Sequence, residues 1–145
     1  MYAEHYAAVE ARLTSDPRLA GKVFDVVRRN DNGDFIRANY LVLTIGLAET
    51  GGDRQAMAQV HEDNAVFDLK VRAVGISADA VMLLLNAVSS RWLGWVPDIA
   101  GRRCSSIRYP QQSVEILADT TVQPPLYYAD VEYTLRSHFT ARTGS

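Results

Sequence analysis

Two stretches of this chain alternate apolar and polar residues strictly enough to dictate a sheet covered on one side. In residues 65–75, Phe67, Leu69, Val71 and Ala73 fall on one side, and Asp68, Lys70 and Arg72 on the other. In residues 126–136, Tyr127, Ala129, Val131, Tyr133 and Leu135 share one side. Successive side chains of a strand point to opposite faces, so this pattern predicts half-buried strands with a polar outer face. The apolar side needs a cover, and the sequence between the two strands supplies one. Ser77-Ala78-Asp79 is a helix-capping signal, and Val81, Leu84, Leu85, Val88 and Trp92 then recur at helical spacing. Met82, Leu83 and Ala87 widen that stripe, which predicts that more than one side of the helix is covered. Gly94 and Pro97 end it.

The rest of the chain follows the same logic. Residues 3–14 place Tyr6, Val9 and Leu13 on one stripe, predicting a first amphipathic helix that Asp16-Pro17 stops. Residues 22–27 read as a strand. Asp31-Asn32-Gly33-Asp34 reads as a hairpin turn, and residues 35–45 as a long second strand. Residues 46–64 break the pattern with Gly51-Gly52 and scattered acids, predicting a long mobile connection with part of a hairpin. Residues 103–108 alternate weakly around Cys104 and Ile107, residues 113–117 suit a short helix or strand, and Pro124-Pro125 forces an extended lead into the last strand. Residues 140–145 are small and polar and are expected to fray. The expected fold is α+β: one domain over residues 1–145, a mainly antiparallel sheet with two principal helices packed on one face.

Composition excludes several functions. The 145 residues are 48% hydrophobic and 22% charged, enough for a sizeable core. A net charge of −2 is a poor basis for tight nucleic-acid wrapping. Only Lys22 and Lys70 of the fifteen basic residues are lysines, and arginine suits planar contacts to carboxylates. The single cysteine, Cys104, cannot form an internal disulfide. The first residues lack the basic and apolar regions of a signal peptide, and the longest apolar run, 80–85, is too short for a bilayer. A soluble chain folded in a reducing compartment, with no membrane partner, is the expectation.

Catalytic, cofactor and metal motifs are absent from the sequence. His5 reads as a surface or partner-facing residue, and His138 falls in the fraying end. His61-Glu62-Asp63 has no ligand spacing and reads as a solvated loop. Asp31-Asn32-Gly33-Asp34 lacks the twelve-residue calcium ladder, so the turn reading prevails. Cys104 has no histidine tied to it by a local pattern and reads as a small buried hydrophobe. Arg102, Arg103 and Arg108 could contact phosphate or pair with carboxylates, including a neighbour's. Arg91, with two tryptophans close behind it, has the composition of an interface hot spot. Trp92 is expected to complete the core, and Trp95 fits core and interface equally.

The order of several segments also carries a resemblance. Residues 6–13, the run Asp16-Pro17-Arg18-Leu19-Ala20-Gly21-Lys22-Val23-Phe24-Asp25, Val71-Arg72-Ala73-Val74-Gly75, Ala100-Gly101-Arg102-Arg103-Cys104 and the closing run from Val122 to Tyr133 resemble the tail terminator (minor tail) proteins of long-tailed actinobacterial phages. The likeness spans residues 6–137. It implies an α+β subunit of a homohexameric ring that caps the head-proximal end of the tail tube, stops its growth and joins the head-completion (stopper) protein. DNA would pass through the channel without specific binding. The protein would be assembled in the host cytoplasm and reside in the virion tail, without catalytic residues or cofactor. The interface candidates are Glu49, Gly51, Gly52, Asp53, Arg54, Arg91, Trp95, Arg102 and Arg103. The 46–64 segment would order on contact with ring neighbours or tube, or border the channel. Shortening Gly51-Gly52 is then expected to leave the fold intact and impair ring closure or docking. Two other readings stand beside this one: a head–tail connector or stopper subunit, and a small ligand-binding domain.

Overall fold

The structure is a computed structural model that describes residues 2–29, 31, 33, 35–50, 64–109 and 114–139. Helix α1 spans Tyr2–Thr14 and helix α2 spans Ala78–Trp92; the strands are β1 (Val23–Phe24), β2 (Tyr40–Thr50), β3 (Asn64–Gly75), β4 (Arg102–Cys104), β5 (Leu117–Asp119) and β6 (Leu126–Phe139). They form one sheet in the order β1-β2-β3-β6-β4, with β5 also on β6. Every pairing is antiparallel except β1 with β2. The fold is α+β, as the residue pattern predicts.

The two alternating segments become the centre of the sheet. β3 and β6 pair along twelve positions, from Asn64↔His138 to Gly75↔Tyr127, with Val71 opposite Val131. That register brings Phe67, Leu69, Val71 and Ala73 beside Leu135, Tyr133, Val131 and Ala129 on one face, all buried. Helix α2 covers this layer with Val81, Leu84, Ala87, Val88 and Trp92. Helix α1 adds Val9 and Leu13 beside Leu41 and Leu43 of β2, and all of these belong to one core cluster. The cap is as read from the sequence: the Ser77 hydroxyl accepts a hydrogen bond from the Ala80 amide at 3.1 Å. Trp92 is fully buried, donates from Nε1 to the Val9 carbonyl at 3.1 Å and meets Tyr133 edge-on at 5.2 Å. It ties the two helices and the sheet at one point.

Several expectations change. The strand expected over residues 22–27 is only two residues long, and it pairs parallel to β2, Val23↔Leu41 and Phe24↔Val42. A parallel neighbour requires the chain to travel back before pairing, and the described residues between β1 and β2 reach the outer face on that excursion. Phe24, Val27 and Ala38 pack there on Tyr40, Val42 and Val74, a second small apolar cluster. The turn at Gly33 (φ +85°) does return the chain, but its antiparallel bridge joins Arg29 to Phe35. Residues 36–39 are not strand, and β2 starts at Tyr40. At its other end β2 runs on through Thr50 with a bulge between Leu47 and Glu49, so residues 46–50 extend the hairpin with β3. Residues 51–63, with Gly51, Gly52, Asp53, Arg54 and His61-Glu62-Asp63, lie outside the described residues. Of the segment expected as a short helix or strand over residues 113–117, residues 114–116 are irregular and only Leu117 is strand, the first residue of β5; β6 continues through His138, which is held opposite Asn64 on one side and Arg103 on the other.

Candidate functional site

The histidine expected at the surface is buried. His5 shares a helical stripe with Val9 and Leu13, and all three have no exposed surface. Its ring lies 4.3 Å from that of Phe67, and its Nε2 is 2.8 Å from the Ser137 hydroxyl, which is also buried. Arg102 donates to the same hydroxyl from Nε at 2.6 Å and to the Ser137 carbonyl from Nη2 at 3.2 Å. Because the Ser137 oxygen accepts from Arg102, its own proton is free to point at His5 Nε2. A serine beside a histidine is a nucleophile–base arrangement in form. Here both members are sealed from solvent and a guanidinium occupies the serine oxygen, so the trio acts as a polar lock joining α1, β4 and β6. Cys104 pairs opposite Ser137 and is half-buried, and burial pushes its thiol pKa up. A protonated thiol is a weak nucleophile.

A second polar group joins the C-terminal end of α1 to that of α2. Asp16, almost fully buried, receives Arg18 Nη2 at 2.7 Å and Arg91 Nε at 3.2 Å. Hydrogen bonds from Arg18, side chain and backbone, and then from Arg91 hold its carboxyl well below the usual carboxylate range. Arg12 donates to the Arg91 carbonyl at 2.9 Å and places its guanidinium 5.2 Å from the Trp95 ring centre. Of the interface candidates, Arg91 and Trp95 therefore meet here, with Trp95 half-buried against the main core. Arg102 and Arg103 lie elsewhere. His5 and Arg12 are about 10 Å apart along α1 at 1.5 Å per residue. The β4 alternation turns Arg102 inward to Ser137 and leaves Arg103 exposed. Glu49 sits just past the β2 bulge.

The outer face of the sheet carries matched charges. Lys70 lies opposite Glu132, and Arg72 contacts Asp130 at 2.7 Å and stacks 5.0 Å from the Tyr128 ring. A shallow groove of about 440 Å³ runs over these residues beside Val27, Val42 and Thr44. Exposed pairs of this kind contribute little to stability, and their sum leaves no dominant charge for a ligand. Among the described residues no three His, Cys, Asp or Glu side chains gather as a metal site, and no helix is long and apolar enough to cross a membrane.

The helical surface holds the unexplained apolar area. Met82 and Leu83, expected under cover, are 52% and 67% exposed, and Ile76 is 52% exposed. The stripe is wider than one sheet can bury.

No family model and no curated protein sequence matches this chain. Among solved structures it is similar to a chain in the virion of a native gene transfer agent (GTA) particle, with a TM-score of 0.66, 17% identity, and coverage of 95% of this chain and 99% of that one. At this identity the likeness is one of fold.

Proposed function

We propose that the chain is a structural virion protein: a ring subunit that caps the tail tube of a phage-like particle, ends tail elongation and joins the tail to the head-completion complex. The observation that carries this reading is the end-to-end match of its fold with a virion chain, 95% of one and 99% of the other. The surface supports the same reading. Its polar clusters are spent on internal locks, whereas its large exposed apolar side chains on and beside α2 suit contacts with other subunits. The segment between β2 and β3, with Gly51, Gly52, Asp53 and Arg54, is proposed as the part that meets tube or channel, and Arg103 as a contact on the β4 edge.

The test is electron microscopy and mass measurement of the purified chain, alone and mixed with its tail tube protein. Rings that cap tubes and hold their length constant are expected. A chain that stays monomeric and leaves the tube protein unaffected would overturn the proposal, as would a ring that binds the head side only.

A further inference from the structure

One groove on the helical side differs from the others in its chemistry. Ala80, Leu83, Leu84 and Ala87 form an apolar wall at the i, i+3, i+4, i+7 spacing of a single helix face. Arg18 and Lys22 form the facing wall, and the groove encloses about 290 Å³ with no acidic residue lining it. Arg18 is already committed to Asp16, but Lys22 makes no ion pair among the described residues. Leu83, the most exposed large apolar side chain of the described residues, stands in this wall. A groove of this kind fits an extended segment carrying a bulky apolar residue next to a carboxylate.

The chain itself presents such a segment on its far side. Residues 114–119 expose Val114 by 36% and Leu117 by 41%, with Glu115 exposed between them and free of ion pairs among the described residues. Asp119 is satisfied at home by the Thr121 amide and hydroxyl at 3.0 and 2.5 Å, so Glu115 is the uncompensated charge. β5 lies on β6, across the sheet from β1, into which Arg18 and Lys22 lead. A three-residue edge strand with an exposed leucine is a surface that proteins ordinarily cover.

We infer that the groove between α2 and the segment leading into β1 receives residues 114–119 of a second copy, with Leu117 against Leu83 and Glu115 paired to Lys22. The contact rests on the ring reading above and specifies its subunit interface. A head-to-tail repeat of this contact leaves one groove and one segment open on each added copy, and it closes into a ring where the rotation per copy divides a full turn. The two surfaces lie toward opposite edges of one sheet, so one copy can offer both at once.

Charge reversal tests the pairing. Lys22→Glu and Glu115→Lys should each lower the assembled fraction, read by analytical ultracentrifugation, by about tenfold, because like charges then face each other. The double variant Lys22→Glu with Glu115→Lys should recover to within about threefold of the parent, since the pair is restored in reverse. A second measurement does not depend on charge. In a Cys104→Ser background, Leu83→Cys and Leu117→Cys proteins should form a disulfide dimer under oxidation when mixed, and neither should do so alone. If the parent assembles but the single reversals are silent, the double shows no rescue, or the mixture gives no mixed dimer, the interface is wrong and the ring reading survives. If the parent assembles neither alone nor with tube protein, the ring reading itself fails and takes this contact with it.

Discussion

At the scale of single residues, the informative positions are polar ones inside the core. Ser137 is the clearest: one buried hydroxyl is shared by His5 and Arg102. Ser137→Ala removes that shared oxygen and should lower stability by about 1–3 kcal/mol in urea unfolding, well beyond the volume lost. An unchanged midpoint would mean the two partners are satisfied elsewhere. Asp16 makes a different prediction. Its folded carboxyl titrates below the unfolded value, so its contribution is fully present above about pH 4 and is lost as pH falls through the folded pKa. Asp16→Asn should therefore lower the melting temperature at neutral pH and flatten its decline on acidification. A variant whose acid limb superimposes on the parent's would deny Asp16 this role.

At the scale of elements, α2 is the organising piece. It covers β3 and β6 with one stripe, holds Trp92 against α1, and starts at a side-chain cap. Removing the cap with Ser77→Ala should cost about 1 kcal/mol, a drop of about 3 °C in melting temperature for a chain of this size. A shift below 1 °C would show that the α2 contacts alone hold its first turn. Gly75, immediately before the cap, is tightly enclosed: a Cβ there would lie 3.2 Å from Ala80, Asn39 and Val81 atoms. The β3-to-α2 corner thus depends on a missing side chain as much as on a present one. β1 is the weakest element, with two paired residues and a parallel partner.

At the scale of the whole molecule, the two faces of the sheet divide the labour. The helical face supplies the core and the exposed apolar strip proposed for assembly. The outer face is finished by Phe24, Val27 and Ala38 packed on it and by the cross-strand ion pair of Arg72 with Asp130. Trp95 lies where core and surface meet, half-buried with Arg12 stacked on it. Trp95→Ala is expected to weaken assembly by about 2 kcal/mol, as for a truncated interface anchor, while the isolated chain melts within about 4 °C of the parent. Sedimentation and thermal melting of one preparation make the comparison, and a large loss of melting temperature with assembly intact would place Trp95 wholly in the core.

The sequence by itself determined the layers: alternating residues in β3 and β6, helical spacing and a serine cap in α2, and so an α+β fold with one covered face. These signals are local, because side-chain direction follows from the residue's own backbone. Only the tertiary structure decided what depends on partners distant in the chain. The parallel pairing of β1 hinges on where residues 25–39 find apolar area, and the burial of His5 on Ser137, 132 residues away, accepting its place in the core. Arg102 and Arg103 look alike in the sequence, and strand alternation sends one inward and one to solvent. The exposure of Leu83 was hidden for the same reason: an apolar residue at helical spacing reads as core, and only the width of the sheet beneath shows that no cover remains for it.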